Sequence, residues 1–326
     1  MPAPASTAQP ESTKFFDLQV NGFAGVDFQQ PALSPREFAS ALQALLAHHT
    51  RILLTLITDS VDALGAKLQH LEALRRDSPL GHLIAGYHLE GPYLLPVPGY
   101  HGAHPPELMK APDRAEFDRL WRAADGQLRL ITLAPELPGT PDFIRHVAAH
   151  GARVAIGHSD AGERDIDTAI AAGLTLCTHL GNGVPIQLHR HYNVIQRLLA
   201  RDELDAVFIP DGIHLPPHVL KNFVRAKPPA RVLFTTDCMA AAAAPAGRYR
   251  LGRHLVEVGA DRVVREPGRE NFAGSSLTMG EAWRNVQSFL GWTPEAALAA
   301  CSDRVMAAVG LAPSRPCPTG QPPPHA

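Results

Sequence analysis

The sequence predicts an α/β fold, namely a closed (β/α)8 barrel. Eight short apolar runs each precede a stretch with helical periodicity, the order expected for parallel strands and their crossover helices. The units are evenly spaced and no linker-like segment divides them, which favours a closed barrel over a doubly wound sheet. The chain has 326 residues, of which 45% are hydrophobic, so it can supply the core of one large barrel.

The apolar runs are predicted as strands and the periodic stretches after them as helices. Ser34 illustrates how a boundary is chosen, because it stands before a proline and can cap the first helix. The predicted strands cover residues 15–20, 51–57, 82–89, 128–133, 153–156, 174–177, 206–209 and 232–235. The helices that follow are predicted at 35–48, 60–76, 114–124, 141–149, 163–171, 194–200 and 217–225, with two more at 277–290 and 294–308.

The barrel domain is expected to span residues 15–311. A β-hairpin near 247–266, formed from residues 248–257 and 262–265, is predicted within the loop after the eighth strand. The first 14 residues are rich in Pro, Ala, Ser and Thr, and the tail from 312 to 326 is rich in proline. Both ends are therefore predicted to be disordered.

Composition limits the possible partners. The net charge is −2, and no dense Lys/Arg cluster indicates a nucleic-acid surface, so a small-molecule substrate is expected. No run of about 18 apolar residues predicts a membrane span. The N-terminus lacks the basic and apolar regions of a secretory signal, and the four cysteines show no CxxC spacing. These features predict reduced thiols and a cytoplasmic protein.

Polar side chains stand at the ends of most predicted strands. Because the carboxyl ends of barrel strands converge on one rim, residues far apart in sequence are expected to meet there. Glu90 follows the third run and is itself followed by Gly-Pro, a pair that stops a strand. The other strand-end residues are Gln19 and Asn21, His158, His179, Asp211 with His214, and Asp237.

These residue types favour a metal-dependent hydrolase. One glutamate and two histidines form a zinc ligand set that leaves a position open for water, and Asp237 can accept the proton of that water. A single histidine at a strand end is more often a hydrogen-bonded core residue, and an aspartate after a strand commonly caps a helix. Several such residues at the same end of one barrel are much harder to explain in that way.

The motifs resemble those of the N-acetylglucosamine-6-phosphate deacetylase family, a branch of the amidohydrolase superfamily. The combination of HLEGP and DGIH is specific, whereas GHS or TD alone would be weak evidence. The matching segments run in order along almost the whole barrel: DLQVNG at 17–22, HLEGP at 88–92, GAH at 102–104, GHS at 157–159, THLGN at 178–182, DGIH at 211–214, TD at 236–237 and AGSSLT at 273–278.

The resemblance implies a role for each matching position. Glu90, His158 and His179 are expected to hold one divalent metal, with Zn²⁺ favoured and Fe²⁺, Mn²⁺ or Co²⁺ as alternatives. Asp237 is expected to act as general base and then as acid. His214 is expected to bind substrate and to help stabilise the oxyanion. The expected substrate contacts are His104, Asn182 and Gly183, with Arg190 at the phosphate.

The chain departs from the wider superfamily pattern in three ways. Gln19 and Asn21 replace the frequent His-x-His of the first strand, which predicts one tightly bound metal instead of two. Few residues flank the barrel, so most of the accessory β-sandwich is expected to be absent, and a homodimer is only one possibility. Gly-Asn-Gly replaces the commoner Phe-Asn-Ala after Thr-His-Leu, so the reaction type is better determined than the substrate.

The leading hypothesis is hydrolysis of the N-acetyl group of an amino-sugar phosphate, most specifically N-acetylglucosamine-6-phosphate, to acetate and the free amine. One alternative keeps the fold and the chemistry but changes the substrate to another acylated amine or a cyclic amide. A second alternative is a non-catalytic barrel that binds sugars or a partner protein.

Overall fold

The computed structural model describes residues 13–268 and 272–312. Eight parallel strands form one sheet in the order β1-β4-β5-β6-β7-β8-β9-β10. All strands, numbered along the chain, are β1 (Phe15–Val20), β2 (Gly22–Phe23), β3 (Val26–Asp27), β4 (Thr50–Ile57), β5 (Ile84–Glu90), β6 (Leu128–Leu133), β7 (Arg153–Ile156), β8 (Leu174–Cys177), β9 (Asp205–Phe208), β10 (Val232–Phe234), β11 (Gly247–Leu251), β12 (His254–Val258) and β13 (Val264–Arg265).

The helices lie between the barrel strands and after the last of them. Seven alternate with β1 and β4–β10, and three follow β13. They are α1 (Pro35–Ala47), α2 (Val61–Asp77), α3 (Arg114–Ala123), α4 (Thr140–Ala149), α5 (Glu163–Ala172), α6 (Val194–Leu199), α7 (Pro217–Ala226), α8 (Met279–Leu290), α9 (Pro294–Ala300) and α10 (Asp303–Ala308). The order confirms the predicted (β/α)8 barrel.

The first and last barrel strands meet just beyond β10. Val20 forms a parallel bridge with Cys238, and the amide of Asn21 donates to the carbonyl of Cys238 at 2.7 Å. The buried Asp17 carboxylate on β1 accepts hydrogen bonds from the hydroxyl groups of Thr235 and Thr236. Burial raises the pKa of Asp17, although these hydrogen bonds oppose the rise. The contacts close the ring next to the strand ends.

Two layers of apolar side chains support the barrel. An inner cluster contains Val305 and Met306 of α10. It also contains at least one residue from each of the strands β1, β4, β6, β7, β8, β9 and β10. A larger cluster fills the space between strands and helices. Ser34 caps α1 as predicted: its side chain accepts from the amide of Glu37, whose own side chain accepts from Ser34. Defined helix starts of this kind help fix the strand ends that carry the polar residues.

Three details of the predicted elements were wrong. Residues 82–83 belong to a short 3-10 helix, so the third barrel strand begins at Ile84. The predicted helix at 294–308 is two helices, because Ser302 adopts φ −153° and ψ −99°, a conformation that no helix contains. The predicted hairpin is present, but its two strands are β11 and β12, and residues 264–265 form a third strand, β13, that pairs with β12.

The small sheet β11–β13 packs beside the strand ends. Its apolar cluster includes Leu251 and Val256 together with Met239, which lies two residues after Asp237. The Asp27 carboxylate accepts from the amide of Gly252 at 2.9 Å, which ties the β11–β12 turn to the start of the barrel. Within the described residues, β2–β3 and β11–β13 are the strands outside the barrel, and they form no β-sandwich.

Three cysteines, Cys177, Cys238 and Cys301, are buried and free, as predicted for reduced thiols. Among residues 13–268 and 272–312, no helix has both the length and the apolar character needed to cross a bilayer. The segments predicted to be disordered are residues 1–14 and 312–326, and all of them except residues 13, 14 and 312 lie outside the described residues.

Candidate active site and metal centre

A cavity of about 990 Å³ opens at the carboxyl ends of the barrel strands. Its polar lining comes from different strands, as expected for a barrel rim. Most of the residues selected from the sequence line it, namely Asn21, Glu90, His104, His158, His179, Asn182, Gly183, His214 and Asp237. Gln19 and Arg190 are not part of the lining.

Glu90 lies at the centre of the polar residues. Its Oε1 is 3.2 Å from Nε2 of His158 and 2.9 Å from Nε2 of His179, and all three side chains are buried. Burial alone would raise the pKa of the Glu90 carboxyl, but the hydrogen bonds to the two histidines hold it well below its usual range. The carboxylate is therefore charged, as a metal ligand must be.

His158 is oriented as metal binding requires. Its Nδ1 lies 2.7 Å from the carbonyl oxygen of Tyr100, and because a carbonyl only accepts, Nδ1 carries the proton. Nε2 faces Oε1 of Glu90, which only accepts, so Nε2 donates to it here and becomes a ligand atom when a metal ion replaces that proton. A backbone carbonyl on the other nitrogen is a frequent support for ligating histidines.

His179 presents Nε2 to the same oxygen of Glu90. Its Nδ1 has no hydrogen-bond partner within the described part of the chain. Burial lowers the pKa of His179, but the hydrogen bond and the charge of Glu90 more than offset this effect, so the pKa is raised. The His158 and His179 rings meet edge to face with their centroids 5.0 Å apart.

His104 lies on the other side of the Glu90 carboxylate. Its ligand atom, with those of Glu90 and His158, forms a group within 4.8 Å, so distance alone would also allow a Glu90–His104–His158 metal set. However, Nδ1 of His104 accepts from the amide of Thr58 at 3.3 Å, which leaves the proton of the neutral ring on Nε2. That Nε2 is 3.6 Å from Oε2 of Glu90. His104 is thus arranged as a hydrogen-bond donor, whereas His158 is arranged as a ligand.

Asp237 is held by the end of the first strand. Asn21 donates from Nδ2 to Oδ1 of Asp237 at 2.8 Å. Burial and the negative charge of Glu90 raise the pKa of Asp237 to about 7. Asn21 therefore fixes the carboxylate without adding charge.

His214 is oriented by Asp211 in the same loop. Oδ1 of Asp211 accepts from the amides of Ile213 and His214, each at 2.8 Å, and Oδ2 lies 2.6 Å from Nδ1 of His214. A carboxylate only accepts, so Nδ1 of His214 donates and Nε2 is the nitrogen left for a ligand. The ring of Phe272 packs 5.0 Å from the His214 ring and also lines the cavity.

Gln19, the other amide selected on the first strand, is fully buried below the cavity lining. Neither polar atom of its side chain has a partner within the described residues. The two amides of the first strand therefore differ. Asn21 faces the cavity and Asp237, and Gln19 does not line the cavity.

The loop after β8 forms one wall of the cavity. Asn182 donates from Nδ2 to the carbonyl of His179 at 3.3 Å. Gly183 has φ +65°, and a Cβ atom there would lie 3.0 Å from Nδ1 of His158. Arg190 is exposed on the same loop. The wall thus contacts His158 and His179 directly, and Arg190 lies outside it.

Three of the site residues have left-handed backbone conformations. The φ angles are 53° at His158, 28° at His179 and 49° at Asp237. Residues with a Cβ atom rarely adopt such angles, and they concentrate at functional sites where the surroundings impose them. The side chains at the ends of β7, β8 and β10 are turned towards the cavity at a cost in backbone energy.

The sequence analysis missed several residues of this region. Thr58, which binds His104, follows β4 directly and could have been found by the same strand-end criterion. Tyr100 contributes only a backbone carbonyl to His158, so its residue type carries no signal. Leu251 and Phe272 reach the cavity through the small sheet and its neighbouring segment, whose placement no local pattern predicts.

Comparison with known proteins identifies the family. No family model matches the chain. The chain is 31% identical to the N-acetylgalactosamine-6-phosphate deacetylase of Escherichia coli O157:H7, over 91% of this chain and 78% of that protein. It is 33% identical to the human N-acetylglucosamine-6-phosphate deacetylase, over 92% of this chain and 75% of that protein.

A solved structure is similar as well. It is a mutant of the Mycobacterium smegmatis N-acetyl-D-glucosamine-6-phosphate deacetylase in complex with N-acetyl-D-glucosamine-6-phosphate. The TM-score is 0.83 with 29% sequence identity, and the match covers 95% of this chain and 82% of that one. This chain therefore belongs to the N-acetylglucosamine-6-phosphate deacetylase family.

Proposed function

We propose that this protein hydrolyses the N-acetyl group of N-acetylglucosamine-6-phosphate, giving glucosamine-6-phosphate and acetate. The observation that carries the proposal is the convergence of Nε2 of His158 and Nε2 of His179 on one oxygen of Glu90, beside the buried Asp237. The names of the relatives and the ligand of the solved relative support the substrate class.

Glu90, His158 and His179 are the proposed ligands of one divalent metal ion. Nε2 of His158, whose ring is oriented by the Tyr100 carbonyl, and the charged Glu90 carboxylate suit Zn²⁺, and Fe²⁺, Mn²⁺ or Co²⁺ are alternatives. When bound, such an ion polarises the scissile carbonyl and makes water a nucleophile near neutral pH. A single ion is supported because Asn21 is engaged with Asp237 and Gln19 does not line the cavity.

Asp237 is the proposed proton carrier. The water oxygen attacks the acetyl carbon while Asp237 takes a proton from it, and the same proton passes to the nitrogen as the carbon–nitrogen bond breaks. Acetate and the amine are the products, and Asp237 returns to its starting form. The hydrogen bond from Asn21 keeps the carboxylate aimed at the reacting atoms throughout.

His214 is the proposed donor to the developing oxyanion. Its Nδ1 already donates to Asp211, so donation from Nε2 as well requires the imidazolium, whose charge the Asp211 carboxylate at 2.6 Å compensates. His104, whose Nε2 carries a proton towards Glu90, is proposed to donate to the substrate or to the carboxylate. Both rings are positioned by hydrogen bonds at the nitrogen that faces away from the cavity.

The phosphate is proposed to bind at the loop after β8, with Asn182 and Gly183 in contact with substrate. Arg190 is on this loop and offers a guanidinium that can pair with two phosphate oxygens. Its exposed position requires the side chain to swing towards the cavity when substrate enters.

The test is acetate release from N-acetylglucosamine and N-acetylgalactosamine, each with and without the 6-phosphate. We expect the phosphorylated gluco sugar to give the highest kcat/KM. The galacto sugar is the second candidate, because a relative with 31% identity is named for it. Release from neither phosphorylated sugar by the metal-loaded protein would overturn the proposal. Another acylated amine or a non-catalytic role would then replace it.

A homodimer and a cytoplasmic location are part of the same proposal. The loop beside the cavity exposes Ile186 and Tyr192, whose side chains are 89% and 75% accessible and offer an apolar contact. The free buried cysteines support a reducing compartment. Light scattering on the purified protein and fractionation of the source cells measure the two properties directly.

A further inference from the structure

A second group of potential metal ligands lies on the outside of the barrel. Asp118 is on α3, His146 is on α4 and His150 is the residue that caps the end of α4. We call these three residues the outer histidine cluster. Histidines four residues apart share one face of a helix, the spacing that places two imidazoles on one metal in helical zinc sites.

The ligand atoms of the cluster already converge. Nε2 of His146 lies 2.6 Å and Nε2 of His150 lies 3.8 Å from Oδ1 of Asp118. All three ligand atoms lie within 4.8 Å of one another. Ligand atoms of a tetrahedral zinc ion with bonds of about 2.0–2.1 Å are roughly 3.3 Å apart, so small side-chain rotations suffice to reach that geometry.

The tautomer of His150 favours metal binding. Its Nδ1 lies 2.9 Å from the backbone carbonyl of His146, so Nδ1 carries the proton and the lone pair is on Nε2. The Tyr100 carbonyl accepts from Nδ1 of His158 in the cavity in the same way. Two histidines on a helix surface do not require this hydrogen bond from Nδ1.

Aromatic side chains hold both rings in place. Phe117 meets the rings of His146 and His150 edge to face, with centroids 5.6 and 5.2 Å apart, and Trp121 packs 5.1 Å from His150. The three polar side chains keep between 23% and 35% of their surface accessible. The rings are therefore restrained on one side, and the other side is open to an ion and to water.

We propose that the outer histidine cluster binds one divalent transition-metal ion of the Zn²⁺, Ni²⁺, Cu²⁺ and Co²⁺ class. Nε2 of His146, Nε2 of His150 and the Asp118 carboxylate are the protein ligands, and water completes the shell. Imidazole ligands select these ions over Mg²⁺ and Ca²⁺. On binding, the proton that Nε2 of His146 donates to Asp118 passes to solvent. The ion then joins α3 to α4, independently of the reaction in the cavity.

Zinc stoichiometry tests the proposal. Protein stripped with a chelator is dialysed against buffered micromolar Zn²⁺, and bound metal is measured by mass spectrometry. We expect about two equivalents for the wild type and about one for His146→Ala/His150→Ala, with the deacetylation rate retained in both. Asp118→Asn, which keeps the shape of the side chain, provides a second variant in case the double substitution perturbs folding. His218→Ala removes an exposed helical histidine and is the matched control.

Trp121 provides an independent readout next to the cluster. Cu²⁺ bound at the cluster should quench its fluorescence, and both Trp121→Phe and His146→Ala/His150→Ala should remove that part of the quenching. Equal zinc content in the wild type, the double variant and Asp118→Asn would overturn the proposal. A lack of deacetylase activity would leave this result intact, because metal content and fluorescence do not depend on turnover.

Discussion

Asn21 at the end of the first barrel strand donates a hydrogen bond to Asp237, just beyond the eighth, over 2.8 Å. The adjacent residues Val20 and Cys238 form the bridge that closes the barrel. Closure of the ring and placement of the proposed general base are therefore one structural event. A substitution at this seam is therefore expected to affect both.

Asn21→Ala is expected to lower kcat while KM and bound metal change little. The lost hydrogen bond has a charged acceptor and contributes about 1.5–3 kcal/mol, so kcat should fall roughly 10- to 100-fold. Steady-state acetate release and metal analysis measure the two effects. Asn222→Ala, on the exposed surface of α7, is the control. A kcat close to that of the wild type would show that Asp237 needs no support from the first strand.

Asp237→Asn should retain the fold and the metal but lose turnover. Asparagine is tolerated at the φ of 49° found here and preserves the shape of the side chain, but it cannot accept a proton from water. Loss of general acid–base catalysis predicts a fall in kcat of about 10²- to 10⁴-fold. Single-turnover acetate release, with metal content measured on the same sample, checks this. Near-normal turnover with metal still bound would exclude Asp237 as the base.

Arg190→Ala separates phosphate recognition from the chemistry of the acetyl group. If the guanidinium pairs with the phosphate, KM for the phosphorylated sugar should rise about tenfold or more, because a charge-assisted hydrogen bond is lost. KM for the sugar without phosphate should stay the same. Arg36→Ala, an exposed arginine of α1, is the control. Equal changes in KM for both sugars would show that Arg190 does not bind the phosphate.

Gly183→Ala is expected to weaken metal binding through His158. The new Cβ atom would lie 3.0 Å from Nδ1 of His158, so the ring or the loop must shift. Displacement of a ligand histidine from its supporting hydrogen bond typically lowers metal affinity about 10- to 100-fold. Competition with a zinc-binding dye measures the affinity.

The matched control for that substitution is Gly291→Ala. Gly291 has φ +71°, close to the +65° of Gly183, but a Cβ atom there meets nothing within 4 Å. Both variants carry the same kind of backbone strain, and only one presses on His158. If the two variants bound zinc equally well, the contact with His158 would be irrelevant.

Asp27 should make stability depend on pH. Burial raises its pKa from 3.8 to about 6, so the folded protein keeps a proton that the unfolded chain releases. Its contribution is fully present below pH 3.8 and is lost as pH rises through 6. Asp27→Asn lacks this titration, so its stability relative to the wild type should rise by about 2 kcal/mol between pH 4.5 and 7.5.

Urea unfolding of the metal-free proteins at the two pH values measures this change. Removing the metal excludes the pH dependence of its binding. Asp77→Asn, at an exposed aspartate at the end of α2, is the control. If the stability difference between Asp27→Asn and the wild type were the same at both pH values, the shifted titration of Asp27 would be refuted.

The sequence was sufficient for the barrel and for most of the cavity lining. Buried parallel strands appear as apolar runs, and their carboxyl ends converge, so Glu90, His158 and Asp237 could be grouped without coordinates. The resemblance suggested that Arg190 binds the phosphate, but Arg190 does not line the cavity. A long side chain on a loop is not fixed by the periodicity that positions strand residues.

Other features leave no pattern in the sequence. The strands β2 and β3 have two residues each, too few to show an alternation. The break at Ser302 has neither glycine nor proline next to it to mark it. The proton on Nδ1 of His158 depends on the backbone carbonyl of Tyr100, which any residue type would supply.

The left-handed backbone at His158, His179 and Asp237 places stability and activity in opposition. At about 1–2 kcal/mol for each residue, the three together are comparable to a large part of the net stability of an ordinary domain. Glycine at these positions would relieve the strain and remove the proposed metal ligands and general base at the same time. The backbone of this barrel would thus be most relaxed in a variant that lacks these three side chains.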